Sequence, residues 1–174
     1  MNPQVLADAA HPGFSPYTVV LGIVGNVTGA DAVTVLSIAA VVNVVLLLVA
    51  FRMFVIELTQ NRRAPFWALV FVLALWGWSP LRFSGFFGLS SIGFVAPYPS
   101  MFATALALWV LVAMSRLTRD GRPRHLVVIA AGTAVVVIVH PLSGAWLVAS
   151  LVVLAVVHLR DRRAWIGLVL AGTA

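Results

Sequence analysis

Long runs of hydrophobic residues alternate with short polar stretches along the whole chain. Runs of this length and apolar character are typical of helices that lie in a lipid bilayer. The pattern therefore predicts an all-α, polytopic transmembrane helical bundle in one domain, with about five full spans, a short interfacial helix and a truncated sixth span. The predicted full spans are 31–57, 65–79, 100–117, 125–140 and 144–159, and the truncated span begins at 164–174.

The first 30 residues are predicted to form an extracytoplasmic tail that ends in a short helix. Ser15 can cap this helix, and Pro16 suits its first position. The apolar run 17–27 has only eleven residues. A helix of that length rises about 16 Å, which is too short for a hydrocarbon core of about 30 Å. We therefore expect an interfacial helix that ends at Gly29.

Composition supports the membrane class. The chain is 62% hydrophobic and 9% charged, with a mean hydropathy of +1.08, whereas soluble domains are about a quarter charged. All eleven bases are arginines, and the net charge is +6. They cluster between apolar runs, which favours contact with anionic lipid and argues against nucleic acid as a partner. The absence of cysteine excludes disulfides, thiolate metal sites and a cysteine nucleophile.

The distribution of arginine predicts the orientation of the chain. Cytoplasmic loops of membrane proteins carry an excess of arginine and lysine. On this rule the amino terminus, the loop 79–99 and the segment 140–144 are extracytoplasmic, and Arg82 is the single arginine on that side. The ten predicted cytoplasmic arginines are Arg52, Arg62, Arg63, Arg116, Arg119, Arg122, Arg124, Arg160, Arg162 and Arg163.

The loop 79–99 carries the first candidate binding residue. Its glycines and prolines prevent one long helix, and its aromatic residues favour the membrane interface. Arg82 lies in this loop, and a guanidinium can bind a phosphate group through two parallel hydrogen bonds. The alternative for Arg82 is contact with lipid headgroups or stacking on an aromatic ring.

His140 is the second candidate. It precedes Pro141 in the segment HPLSG, 140–144, which we interpret as a tight extracytoplasmic turn. Its imidazole could satisfy free carbonyls at a helix end, or it could act as a hydrogen-bond donor or metal ligand. Ser143 lacks the preceding glycine of a nucleophile elbow, so the segment does not indicate a serine hydrolase.

Asp8 and His11 lie three residues apart in the amino-terminal tail. They could ligate a cation, although two ligands without a third are a weak pattern, and the alternative is a solvated terminus. Asp31 is more simply a helix cap than a base.

Three further polar residues receive structural interpretations. Asn43 lies within the first predicted span, where a buried amide usually bonds to a neighbouring helix. His125 and His158 lie at cytoplasmic helix ends and are interpreted as interfacial residues.

Three segments together carry a resemblance to a known family. The first is HPGFSPY, 11–17, followed by a short apolar helix and a long span with Asn43. The second is APYPS, 96–100, at the start of a span, and the third is HPLSG, 140–144. Over residues 11–160 this arrangement resembles the polytopic membrane glycosyltransferases of the GT-C superfamily, especially large actinobacterial proteins of that type.

The resemblance implies a bacterial plasma-membrane enzyme with a polyprenyl-phosphate-linked sugar donor, an extracytoplasmic acceptor and often a divalent cation. Our candidate substrate-binding residues for such an enzyme are Arg82, His140, Tyr98 and His11. In that family an acidic outer loop follows a first span, and Asp8 is the one acid of the tail that could match. We expect the chain to be part of a longer protein or to need a partner subunit, because no preceding span delivers the tail across the membrane.

Two other classes of function stay open. A transporter or permease subunit would place ionisable groups within its spans, or would break its helices near mid-membrane. The predicted spans contain Asn43 and little else that is polar. A structural membrane subunit without chemistry of its own would tolerate loss of Arg82 or His140.

Overall fold

The computed structural model of the protein describes residues 15–74, 92–158 and 161–173. Every regular element in these ranges is an α-helix, which confirms the all-α class. Seven helices have at least eleven residues, and one is a single turn. In chain order they are α1 Pro16–Thr28, α2 Ala32–Thr59, α3 Ala64–Ala74, α4 Ile92–Val95, α5 Pro99–Asp120, α6 Arg124–Val139, α7 Pro141–Val157 and α8 Arg162–Gly172.

The start and end of α1 follow the sequence prediction. The Ser15 hydroxyl accepts a hydrogen bond from the Thr18 backbone N–H, and the Ser15 N–H donates to the Thr18 hydroxyl at 3.0 Å. Pro16 occupies the first helical position, where its missing N–H costs nothing. Gly29 ends the helix in the left-handed region at φ 70°, which glycine adopts without a steric penalty.

Asp31 caps α2, as predicted. Its carboxylate accepts hydrogen bonds from the backbone N–H groups of Val33 and Thr34 at 2.9 and 3.0 Å, and from the Thr34 hydroxyl at 2.7 Å. These bonds, led by the one from the Thr34 hydroxyl, lower the pKa of Asp31 because they favour the ionised carboxylate.

The helices α2 and α5 lie side by side and run in the same direction. In the first half of α2, the Asn43 side chain donates a hydrogen bond to the carbonyl of Ala96, which lies just before the start of α5, at 2.8 Å. Near their carboxyl ends, Glu57 pairs with Arg116 at 3.2 Å. Because the two helices are joined at both levels, their relative register is fixed.

The helix α5 is the centre of the bundle and contacts α2, α6, α7 and α8. Three glycines allow close packing of the surrounding helices. A Cβ added at Gly132 of α6 would lie 2.5 Å from Val110 of α5, and one at Gly144 of α7 would lie 2.7 Å from Val137 of α6. Gly167 brings α8 against α5 and α6 in the same way. Small residues at such crossings are typical of helices that pack in membranes.

Among the described residues, two helices are long and apolar enough to cross a membrane: α2 with 28 residues and α5 with 22. The helices α6 and α7 are apolar but have only 16 and 17 residues. In its described part α3 has 11 residues. The described residues thus support two of the predicted spans by length, and the other three stay predictions.

The connection between α6 and α7 differs from the sequence prediction. Residues 140–144 do not form a five-residue turn, because α7 begins at Pro141 and His140 alone separates the two helices. Proline at the first position of a helix needs no hydrogen-bond partner for its nitrogen. The segment HPLSG is consequently a helix start rather than a loop.

Prediction from the α5–α6 crossing. Replacing Gly132 by Ala places a methyl group against Val110, and overpacking of this kind costs about 1–3 kcal/mol. We expect a lower unfolding temperature in detergent micelles, followed by far-UV circular dichroism. Gly22→Ala is the matched control, because nothing lies within 4 Å of a Cβ at that position. Equal stability of both variants would show that the helices do not meet at Gly132.

Candidate functional site

The structure describes two of the five residues predicted to form a site. Asp8, His11 and Arg82 lie outside the described residues, whereas Tyr98 and His140 lie within them. The described part of the site can therefore be built from α1, α2, the start of α5 and the α6–α7 connection.

Asn43 is the polar centre of this region and is only 1% exposed. Its amide group donates one hydrogen bond to the Tyr17 hydroxyl and one to the Ala96 carbonyl, both at 2.8 Å. The sequence interpretation of Asn43 as a bridge to a neighbouring helix is confirmed. The bridge also joins two of the segments on which the family resemblance was based, 11–17 and 96–100.

Tyr17 extends the bridge towards α5. Its ring stacks on Phe102 with 5.2 Å between ring centroids. Stacking at this distance is favourable, and it holds the Tyr17 ring while the Tyr17 hydroxyl accepts the hydrogen bond from Asn43. The backbone beside Asn43 is itself ordered, since the Ala96 N–H donates to the Ile92 carbonyl and the Tyr98 N–H to the Val95 carbonyl. Asn43 therefore fixes α1 and the entry to α5 at one level of the bundle.

Tyr98 immediately precedes α5, and 59% of the residue is exposed. Its backbone has the extended conformation of a helix cap, without a capping side-chain bond. Pro99 then starts the helix. The phenol is thus presented at the surface beside the Asn43 level, where it is free to contact a ligand.

His140 caps α7 through its side chain. Its Nδ1 accepts the Ser143 backbone N–H at 3.2 Å and lies 2.9 Å from the Ser143 hydroxyl. An imidazole nitrogen that accepts a backbone N–H carries no proton, so the neutral ring has its proton on Nε2. His140 therefore offers an Nε2–H donor, and it acts at the start of α7 rather than on the last carbonyls of α6.

The Ser143–His140 contact does not make a hydrolase site. Ser143 is only 4% exposed, and its hydroxyl is engaged with the imidazole that caps its own helix. In the described ranges no three His, Asp or Glu side chains come together as metal ligands. The contact is structural, as the missing nucleophile elbow predicted.

An open groove of about 590 Å³ lies between α1 and α2. Its walls include Thr18, Gly22 and Gly25 of α1 and Leu36 of α2, and it is mainly apolar. The glycines leave space between the two helices where larger side chains would fill it. The groove therefore runs from Thr18, next to Tyr17, towards the connection between α1 and α2, and on α2 it is lined only as far as Leu36.

The opposite end of the bundle contains a charged cluster that the sequence did not reveal. The Glu57 side chain is 7% exposed and contacts Arg116 at 3.2 Å and Arg119 at 2.9 Å. The Ser115 hydroxyl lies 3.4 Å from the same carboxylate. Glu57 and Ser115 are 58 residues apart in the sequence. The spacing of neighbouring residues does not indicate a contact over such a separation, so the sequence could not predict this cluster.

His125 lies near the start of α6, and its position at a membrane interface stays a prediction. It is 6% exposed, and its Nε2 lies 3.2 Å from the Asp120 carboxylate across the α5–α6 turn. Arg122 reaches the same carboxylate at 3.5 Å, and its backbone N–H donates to it at 3.1 Å. Asp120 therefore organises this turn, which explains why a polar ring can be buried there. His158 remains a helix-end residue, with its Nδ1 2.9 Å from the Leu154 carbonyl.

The chain shows no significant match to a protein-family model, a curated protein or a solved structure.

Prediction from the Asn43 bridge. Tyr17→Phe removes one hydrogen bond and should cost about 1 kcal/mol, whereas Asn43→Leu removes two and should cost about 2 kcal/mol. The double variant should show a coupling of about 0.6 kcal/mol, the average for such pairs between membrane helices. Thermal unfolding of the four chains in detergent measures the cycle. Tyr98→Phe, which removes an exposed hydroxyl, is the control. Strict additivity of the Asn43 and Tyr17 effects would contradict the bridge.

Prediction from the Glu57 cluster. Glu57→Gln leaves Arg116 and Arg119 without their carboxylate, but these arginines are 31% and 55% exposed and keep contact with solvent. We expect a loss of about 1–2 kcal/mol, less than for a fully buried pair. Asp161→Asn is the control at the same end, because asparagine can keep the cap that Asp161 gives to α8. If the Glu57→Gln and Asp161→Asn variants were equally stable, the contacts of Glu57 with Arg116 and Arg119 would not stabilise the bundle.

Proposed function

We propose that the chain is a multi-pass protein of the bacterial plasma membrane with residues 79–99 on the extracytoplasmic side. We further propose that it forms part of a glycosyltransferase, which moves a sugar from a polyprenyl-phosphate donor to an extracytoplasmic acceptor. The observation that carries this proposal is the Asn43 bridge, because it joins the segments 11–17 and 96–100 that resemble GT-C enzymes.

The exposed surface supports the membrane location. Only 22% of the most apolar window of α2 is buried, compared with 61% for α5. Exposed apolar side chains cost about 25 cal/mol per Å² in water and nothing comparable in lipid. Large exposed side chains of α2, α6 and α7 include Val33, Ile38, Val41, Val127, Ile138, Val153 and Val157.

The proposed site has the parts that a polyprenyl-phosphate donor needs. The Nε2–H of His140 and the guanidinium of Arg82 can donate to a phosphate, and both belong to the side that carries few arginines. The groove between α1 and α2 offers an apolar path for a lipid tail. Tyr98 supplies an exposed hydroxyl and His11 a further donor. The proposal gives the role of base to an acid of the amino-terminal tail, with Asp8 as the candidate, and includes a divalent cation bound there.

A second candidate function is a structural membrane subunit. It is favoured by the internal pairing of the described acids, since Glu57, Asp120 and Asp31 all bind groups of their own bundle. Such pairing stabilises helices without leaving an acid for chemistry. The two functions differ in one measurable respect, which is affinity for the donor.

Prediction for donor binding. We expect the purified full chain in detergent to bind polyprenyl-phosphate sugars that carry a radiolabelled hexose or pentose. His140→Asn keeps an oxygen that can cap α7 but removes the Nε2–H, so binding should weaken about tenfold, as for loss of one hydrogen bond to a charged group. Arg82→Ala should abolish transfer in reconstituted membranes while insertion stays normal.

The control for donor binding is His158→Asn, at the other end of the bundle. It should leave the affinity unchanged, because His158 bonds only within its own helix among the described residues. Native affinity in the His140 variant, normal transfer by the Arg82 variant, or no binding by the native chain would leave the structural subunit as the better function.

A further inference from the structure

The first turn of α8 lies against the connection between α5 and α6. Gly121 ends α5 at φ 66°, and a Cβ there would lie 2.6 Å from the Cζ of Arg163. The Arg163 guanidinium therefore rests directly on the backbone of Gly121. This contact brings Arg163 to the turn that carries Arg122 and Arg124. We name residues 121–124 together with Arg163 the arginine turn.

The arginine turn lacks enough negative charge to balance its cations. Among the described residues two acids contact it, against its three arginines. The Asp120 carboxylate is shared by His125 and Arg122, and the Asp161 carboxylate accepts the Arg163 backbone N–H at 2.9 Å. Arg124 and Arg163 are exposed, and neither guanidinium pairs with a described carboxylate. The carboxyl end of α5 offers Arg163 only about half a negative charge from the helix dipole. The turn is thus suited to an external anion.

The surface next to the arginine turn is apolar. On α6 Val127 is 68% exposed, and on α8 Trp165 and Ile166 are 39% and 51% exposed. Tryptophan is enriched where headgroups meet acyl chains. Cations immediately beside exposed apolar side chains match a phosphate headgroup with its hydrocarbon tails, whereas a soluble anion or an RNA strand would use only the charged part.

We propose that the arginine turn binds the phosphate headgroup of an anionic phospholipid, with the acyl chains along α6 and α8. Guanidinium groups donate two parallel hydrogen bonds to a phosphate, and the paired Arg122 keeps further donors available. This proposal rests on the membrane location proposed above and is independent of sugar transfer.

The test uses the purified full chain, delipidated in detergent, with phosphatidylglycerol and phosphatidylcholine as probes in native mass spectrometry. The first phosphatidylglycerol should bind more tightly than phosphatidylcholine. The variant R122Q/R163Q should weaken this binding by more than tenfold, since each arginine near an anionic lipid contributes about fivefold. The charge-matched variant R62Q/R63Q should change it by less than about twofold, because both its arginines lie outside the turn.

Two further variants protect the test against a folding defect. Arg163→Lys keeps the charge and should retain most of the lipid preference, and circular dichroism checks that each variant is helical. If R122Q/R163Q does not fold, Arg124→Gln alone should weaken the binding of phosphatidylglycerol about fivefold.

Three results would overturn the lipid site. They are equal losses in R122Q/R163Q and R62Q/R63Q, equal affinity for both lipids, or displacement of phosphatidylglycerol by inorganic phosphate or a single-stranded oligonucleotide at equal concentration. Normal binding of the sugar donor together with any of these would leave the proposed glycosyltransferase role intact.

Discussion

The parallel pairing of α2 with α5 is the constraint on which the rest of the structure depends. Asn43 holds the pair at one level through the Ala96 carbonyl, and Glu57 holds it at the other through Arg116 and Arg119. These levels are 14 residues apart on α2, or about 21 Å along a helix. An apolar helix can slide or rotate against an equally apolar neighbour at little cost, so polar contacts at two levels are what set a single register. With α5 fixed, α6 packs on it at Gly132 and α8 at Gly167, and α7 packs on α6 at Gly144.

The local signals for helix starts were correct because they depend on a few adjacent residues. Ser15 and Asp31 cap their helices as predicted, since a short side-chain acceptor placed before an apolar run binds the free backbone N–H groups. The HPLSG segment was misread because proline and glycine are also turn residues, and here Pro141 begins a helix. Whether this segment begins a helix or forms a turn depends on His140, whose imidazole nitrogen accepts the backbone N–H that a capping oxygen usually accepts. A histidine cap is uncommon enough that composition alone does not indicate it.

Pairings between distant parts of the chain could be predicted only where a residue had few alternatives. A buried amide in an apolar helix must find a partner, so Asn43 was expected to reach another helix, although Tyr17 and Ala96 could not be named. Glu57 and His125 lie near helix ends, where exposure is the ordinary state of a polar side chain, so no local pattern indicated their burial. Both are largely buried because arginines or an acid from a neighbouring segment lie within reach. The three site residues outside the described ranges, Asp8, His11 and Arg82, remain sequence predictions.

Helix lengths also determine how deep the proposed donor site would lie. From Asp31 to Glu57 the chain advances 26 residues, about 39 Å, and a hydrocarbon core is about 30 Å thick. The Asn43 level is about 18 Å below the Asp31 cap on the same scale. The upper part of α2 is apolar and is accompanied mainly by α1, which runs back along it from Gly29 to Tyr17. If this upper part lies in lipid, the bundle of α5, α6 and α7 ends below the membrane surface on that side. Tyr98 and the Asn43 bridge would then lie below that surface, at a depth that suits the proposed substrate with a lipid tail and a polar head.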